Sequence, residues 1–119
     1  MHNFRNLDIW KNGIKLVKEI YQLSVLLHDE EKFGLTSQIR RVAVSVPSNI
    51  AEGCSCSSEI EYKRFLEIAE RSLFEIETLL IIITELTMIA EDRVNPIMEK
   101  VHTEQRMINN LISKIKANI

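Results

Sequence analysis

Residues able to do chemistry are spread thinly along this chain, and their spacing limits what they can do. Cys54 and Cys56 stand one residue apart, which is poor disulfide geometry and only half of a metal site. Both are read as reduced loop residues. His2, His28 and His102 are scattered, with no Cys or carboxylate partner at ligand spacing. Glu67, Glu70 and Glu77 could imitate the carboxylates of a di-metal bundle site. That site also needs a Glu-x-x-His on each of two facing helices, and the chain has no such set. These glutamates are expected to pair with Arg40, Arg41 or Lys63, or to face water. There is no G-x-S-x-G, no H-E-x-x-H and no glycine-rich phosphate loop, for which three glycines are too few. No catalytic residue, cofactor, metal or small-molecule substrate is therefore expected.

The basic residues carry more pattern. Lys11, Lys15 and Lys18 recur at i, i+4 and i+7, one stripe of a helix. Such a stripe is either a solvated face or a line of phosphate contacts. Arg40 and Arg41 are adjacent, so both cannot face a core. In one reading Arg41 pairs with a carboxylate such as Glu52 across a helix or subunit boundary. In the other, Arg40, Arg41, Lys63 and Arg64 form a ring of positive charge that subunit repetition multiplies. The formal net charge of −2 gives no global attraction to nucleic acid or anionic membrane, so any such contact must be a local patch.

The elements that would position these groups are all helical. The stretch Phe33–Gly53 is the most specific, and it holds one of the chain's two prolines. Val42, Val44 and Val46 alternate as in a strand. Ile39, Val42, Ala43, Val46 and Ile50 instead hold one helical face, and Gln38, Arg41, Ser45, Ser48 and Glu52 hold a second, polar one. No other segment could pair with a lone strand, so the stretch reads as a helix, capped by Thr36 and stopped by a left-handed Gly53. Pro47 inside it predicts a kink rather than a break, because the stripes keep phase on both sides. Ser45 and Ser48 could rebond the freed carbonyls.

A first helix spans about residues 7–27. It has two adjacent apolar stripes: Trp10, Ile14, Val17 and Tyr21, and beside them Gly13, Leu16, Ile20, Leu23 and Leu27. The arc is wider than one neighbouring helix needs. Ser58 and Glu61 form a capping box that opens a third helix, expected to run from Glu59 to about Ala90. Its core stripe is Phe65 or Leu66, then Ala69, Leu73, Ile76, Leu80 and Ile83. Leu79, Leu80, Ile81, Ile82 and Ile83 are apolar nearly all round the helix, so burial on more than one side is expected. Asn95 and Pro96 read as the start of a fourth helix with Ile97, Val101, Gln105, Ile108, Ile112, Ile115 and Ile119 on its seam.

Short connections between four helices imply an all-α, up-down-up-down four-helix bundle in one domain, residues 1–119. Hydrophobic residues make up 45% and charged residues 27%, the balance of an ordinary folded domain. The N-terminus lacks a charged-then-apolar signal pattern and no apolar run approaches a membrane span. The cytoplasm is the expected compartment. The surplus apolar surface at Leu79, Ile81, Ile82 and Ile83 predicts a homo-oligomer, with small Ser45 and Ser48 at a close helix or subunit boundary.

FRNLDIW at the start, IYQL in the first helix, FGLTSQIRRVAVSVPSNIAEG and EYKRFLEIAERSLFEIETLL together resemble a known family. It comprises bacterial four-helix-bundle proteins found as reading frames in intervening sequences of large-subunit ribosomal RNA genes. The likeness covers about residues 4–90. It implies a ring-like homopentamer without known enzymatic activity. A related branch serves as the accessory protein of diversity-generating retroelements, where a basic pentamer is thought to engage nucleic acid and the reverse transcriptase. This chain departs from the pattern in two places. The loop Cys54-Ser55-Cys56-Ser57-Ser58 lacks the basic residue that usually follows A-E-G, and Arg71-Ser72 replaces a common Gly-Ser pair. Fewer basic contacts mean weaker phosphate affinity. Two functions follow as expectations: a scaffold homo-oligomer with protein or ribosomal partners, and an oligomer that binds ribosomal RNA or the ribosome through basic helix faces.

Overall fold

The computed structural model describes every residue, Met1–Ile119. Four helices carry the fold: α1 (Asp8–Ser24), α2 (Leu35–Cys54), α3 (Glu59–Glu85) and α4 (Glu91–Ala117). Single 3-10 turns at Phe4–Asn6 and Asp29–Glu31 precede α1 and α2. Each helix packs on its neighbours in sequence, and α1 closes the square against α4. The result is an up-down-up-down bundle measuring 45 × 22 × 20 Å. Its core is a single cluster drawn from all four helices, centred on Leu16, Ile20, Ile39, Val46, Leu66, Leu73, Ile76, Leu80, Val101 and Ile108.

The central stretch is helical, as its two phased stripes predict. The cap expected at Thr36 is not used: the helix begins two residues earlier, with Gly34 as N-cap and no side-chain cap bond. The first closing bond runs from the Gln38 amide to the Gly34 carbonyl at 3.0 Å, which places Thr36 inside the first turn. α2 is continuous through Pro47. Asn49 Nδ2 donates to the Ser45 carbonyl at 2.7 Å and Ser45 Oγ to the Val42 carbonyl at 2.5 Å, but neither reaches the Ala43 carbonyl that Pro47 leaves without its helical donor, and Ser48 makes no such bond.

Gly53 does not stop the helix in a left-handed turn, since no glycine here has positive φ. Its role is close approach. A Cβ at this position would lie 2.9 Å from Phe65 Cβ and 3.0 Å from Tyr62 Cδ1. The same seam is drawn together by Ser45, whose Oγ lies 2.7 Å from Ser72 Oγ, and by Gln38 Nε2, which donates to Glu75 Oε2 at 3.2 Å.

The predicted N-cap of α3 is present: Ser58 Oγ accepts from the Glu61 amide at 3.1 Å. Its buried face is Tyr62, Leu66, Ala69, Leu73, Ile76, Leu79, Leu80 and Ile83, which selects Leu66 over Phe65. α3 ends at Glu85, five residues before the expected Ala90. The chain turns left-handed at Thr87 (φ 52°), with the Met88 amide bonded to the Ile83 carbonyl and the Thr87 amide to the Thr84 carbonyl. This is a Schellman closure without its usual glycine, so the sequence gives no stop signal there.

α4 likewise starts at Glu91, not at Asn95 and Pro96. Glu91 and Asp92 complement the positive end of the helix dipole, and Lys114 and Lys116 the negative end. Pro96 is exposed in the second turn, where it forfeits only the bond to the Asp92 carbonyl. The seam also differs by one position. Val94, Ile97, Val101, Glu104, Ile108, Ile112 and Ile115 are buried, so the polar member is Glu104 rather than Gln105.

Replacing Gly53 by alanine tests the close α2–α3 seam. Alanine gains about 1 kcal/mol of helix propensity, and overpacking costs about 1–3 kcal/mol. A net loss of about 1 kcal/mol in urea unfolding is expected. A more stable Gly53→Ala protein would show that the seam has slack.

Candidate functional site

The apolar arc of α1 divides in two on folding. Gly13, Leu16, Ile20 and Leu23 are buried, whereas Trp10 and Val17 are half-buried and Ile14 (44%) and Tyr21 (40%) are exposed. α2 contributes Val44, also exposed, with Pro47, Ser48 and Ala51. Trp10, Ile14, Val17, Val44, Pro47, Ser48 and Ala51 line a groove of about 270 Å³ on the α1–α2 face. Val44 is shared with a second depression of about 530 Å³ that includes Tyr21, Phe33, Arg40 and Arg41. The two form one trough along the seam, ending at Phe33, which is 90% exposed.

A second apolar surface lies on α3, facing away from its buried stripe. Phe74 (56%), Ile81 (47%) and Ile82 (38%) are exposed there, with Ile60 and Leu86 towards the ends of the helix. The predicted interface residues therefore separate. Ile81 and Ile82 are at the surface, whereas Leu79 and Ile83 belong to the protomer's own core. Ser48 lines the trough. Ser45 is used within the chain, in the α2–α3 seam, and is not available to a second subunit there. The sequence showed that residues 79–83 were too apolar for one contact; which two of the five stay outside depends on the phase of α3 against its neighbours.

The basic residues also separate. Lys11, Lys15 and Lys18 are exposed on α1. Lys15 shares a cleft of about 240 Å³ with Asn12, Lys100 and Thr103. Lys100 pairs with Glu19, and Arg106 donates to Thr103 Oγ1 at 3.3 Å. Two basic residues of α4 thus adjoin the α1 stripe, and the sequence reading had missed them. Arg40 is held: its Nε donates to Ser24 Oγ at 2.7 Å and its guanidinium lies 4.8 Å from the Tyr21 ring centre. Arg41 donates to Ser37 Oγ at 3.2 Å and not to Glu52. Lys63 pairs with Glu67 at 3.6 Å. α2 and α3 are antiparallel, with Gln38 beside Glu75 and Gly53 beside Tyr62. Lys63 and Arg64 consequently lie at the far end of the seam from Arg40 and Arg41, about 18 Å along α2, and the four make no single cluster in a protomer.

Of the glutamates considered as metal ligands, Glu77 accepts from Gln105 Nε2 at 2.9 Å and lies 3.3 Å from His102 Nε2. The Gln105 bond and the imidazole hold its carboxyl below the usual range against the opposing effect of burial. No three His, Cys, Asp or Glu side chains gather at ligand distance. Cys54 and Cys56 are free thiols. Cys54 is buried beside the Tyr62 hydroxyl, and burial pushes both the thiol and the phenol up, so neither is activated. The polar lead is anchored at this same place. The His2 amide donates to the Cys54 carbonyl at 3.0 Å, its ring stacks on Tyr62 at 4.3 Å, and its Nε2 lies 2.9 Å from Glu59 Oε1.

The one buried charge-bearing group is Glu104, 1% exposed, with neither carboxylate oxygen hydrogen-bonded. Its carboxyl packs against Gly13, where a Cβ would meet Glu104 Oε2 at 3.4 Å and Pro47 Cβ at 3.4 Å, the near edge of ordinary contact. It thus reaches from α4 to the underside of the trough. Burial without a compensating cation raises its pKa to about 8, so it is largely a neutral carboxylic acid at pH 7.

These features define a class: a four-helix bundle carrying two apolar surfaces that one copy leaves open. The family follows from comparison. The model of the 23S rRNA-intervening sequence protein family matches residues 5–110, and the chain belongs to that family. The structure is similar to the crystal structure of a protein of unknown function from the S23 ribosomal protein family of Bacteroides thetaiotaomicron VPI-5482. The TM-score is 0.81 at 22% identity, over 87% of this chain and 97% of that one. No curated protein gives a significant match. No helix is long and apolar enough to cross a membrane.

The Glu104 carboxyl has a pH signature whose sign is fixed. Its pKa is higher folded (about 8) than unfolded (about 4.5), so the folded state binds the proton more tightly. Its effect on stability is nil below about pH 4.5, grows as a loss while pH rises to about 8, and then levels off. The full loss is on the order of 5 kcal/mol. Urea midpoints of the natural protein should fall across that window relative to those of Glu104→Gln. Parallel pH profiles would show that Glu104 ionises freely in the fold.

Proposed function

We propose that the protein is a non-enzymatic homo-oligomer, a pentamer, that acts as a scaffold or interaction protein in the cytoplasm. The observation that carries this reading is the pair of open apolar surfaces, the α1–α2 trough and the outer face of α3. Contiguous apolar surface in water is costly, and a second copy is always present to cover it. The family's description ties it to 23S ribosomal RNA genes, which favours a cytoplasmic setting and partners among ribosomal components. Light scattering at micromolar concentration should give one species of five times the 13.8 kDa chain mass. A monomer would remove the reading; a discrete assembly of another size would remove only the pentamer.

A second reading is RNA binding, and the α1–α4 face favours it. Lys11, Lys15 and Lys18 are joined there by Lys100 and Arg106, giving five cations on two adjacent helices. Five-fold repetition would turn a weak contact into a useful one. Titration against structured 23S ribosomal RNA at two salt concentrations tests it. Binding whose affinity falls steeply with salt, and falls further in Lys11→Glu/Lys15→Glu, supports this reading. Absence of binding at low salt removes it and leaves the scaffold.

A further inference from the structure

Two hollows lie along the α1–α4 seam, and one ion pair stands between them. The first, of about 240 Å³, is lined by Asn12, Lys15, Lys100 and Thr103. The second, of about 230 Å³, is lined by Glu19, Gln22, Leu23, Leu26, Arg93 and Ile97. Lys100 belongs to the first and Glu19 to the second, and these two side chains pair across the division. The first hollow has no carboxylate and no apolar side chain in its wall. Lys15 has no ion-pair partner, and neither has Arg106 at the rim. Arg106 Nη2 donates to Thr103 Oγ1 at 3.3 Å, and that hydroxyl gives its own hydrogen to the Glu99 carbonyl at 3.1 Å. Thr103 therefore holds Arg106 and has no hydrogen left for a ligand. Asn12 Nδ2 directs one hydrogen to Met107 Sδ at 3.5 Å, a weak acceptor, and its second hydrogen is free.

We propose that the first hollow is a phosphate seat, with Lys15, Lys100, Arg106 and Asn12 as its donors and Glu19 as a built-in competitor for Lys100. The proposal rests on the RNA reading of this face and deepens it, turning a charged surface into one localised site. Two ammonium groups in the wall exclude a cation, and the lack of apolar lining excludes an apolar ligand. The donors come from two helices and approach from different sides. A tetrahedral oxyanion, with acceptor oxygens all round, can meet them together, whereas a planar carboxylate with two oxygens cannot. The space is several times the roughly 30 Å³ of one liquid water, so a partly hydrated phosphate can enter. Glu19 sets how strongly it is held. One of its oxygens is on Lys100, and the other, Oε2, is buried without a partner. Arg93, which has no ion-pair partner, lines the hollow on the Glu19 side and gives that carboxylate a second cation to turn to. A carboxylate and a phosphate that share Lys100 repel each other, so Glu19 lowers the affinity of the seat. Free phosphate and the phosphodiester of RNA present the same kind of oxygen to these donors.

The probe is inorganic phosphate, exchanged for chloride at constant ionic strength and followed in the full-length protein by nuclear magnetic resonance of the Asn12 side-chain amide. Saturable binding of one phosphate per chain is expected. Lys15→Gln should weaken it about tenfold, the scale of one charge-assisted bond. Arg106→Gln repeats that test if Lys15→Gln loses helix by circular dichroism. Glu19→Gln should tighten binding severalfold. Lys116→Gln removes an exposed cation about 15 Å further along α4 than Arg106 and should change nothing. The proposal is overturned by a response that does not saturate, by equal losses in Lys15→Gln and Lys116→Gln, or by a Glu19→Gln protein that binds no more tightly. A short single-stranded RNA without a terminal phosphate then distinguishes the sources. Displacement of bound phosphate assigns the seat to a phosphodiester, and no displacement assigns it to free phosphate; the seat stands in both cases. RNA binding by a protein with no saturable phosphate site leaves the RNA reading and removes the seat.

Discussion

α1 and α3 each present apolar side chains over more of their circumference than a four-helix square can cover, and the rest of the structure is arranged under that constraint. A helix at the corner of such a bundle has neighbours on two sides, enough for an arc of about 100–150°. α1 fills its share with Leu16, Ile20 and Leu23 and has Trp10, Ile14, Val17 and Tyr21 left over. α3 does the same with Leu66, Leu73, Ile76 and Leu80, leaving Phe74, Ile81 and Ile82. The surplus is not scattered. It falls as two strips on separate faces, and neither can be folded inward without expelling the strip already there.

The floor of the trough shows how tightly the inside and the outside are linked. Pro47 faces the trough on one side and the Glu104 carboxyl on the other, and Gly13 is small enough to admit that carboxyl. The site combines a residue that cannot donate a backbone bond, one with no side chain, and an acid with no partner. Each alone would be unfavourable in a helix bundle, and together they fit one another sterically. Burial keeps the acid protonated, which removes most of the electrostatic cost that an ionised carboxylate would impose. At the other end of α2, Gly53, Tyr62, Cys54 and His2 form a closely packed knot that ties the N-terminus to the α2–α3 seam.

Much of the fold was readable because it rests on phase. Helical phase survives in sequence wherever a stripe is long, which is why the central stretch could be read as helix despite Pro47 and three alternating valines. The boundaries failed where the deciding feature was not a residue type. Thr87 takes a left-handed turn usually given to glycine, and Pro96 sits in the second turn instead of opening α4. Gly53 was misread for the reverse reason: it looks like a helix stop but serves close packing. Glu104 was missed because a lone glutamate on a seam is normally a reason to shift the seam by one residue. For the surfaces, sequence could show that apolar residues were in excess, but not that Leu79 and Ile83 go inside while Ile81 and Ile82 stay out.

Charge explains why an excess of this kind need not lead to indiscriminate aggregation. The chain is nearly neutral overall, which offers little long-range repulsion between copies. Orientation must then be set locally. Lys32, Arg40 and Arg41 line the wider end of the trough, and carboxylates outnumber cations along α3. Lys15 shares a cleft with Lys100 of α4, and Lys11 and Lys18 are exposed on the same stripe of α1. An assembly that covers the two apolar strips would keep the α1–α4 face outside and repeat it around its axis. The proposed self-association and the proposed RNA contact would then use different sides of the bundle, and the second would depend on the copy number that the first provides.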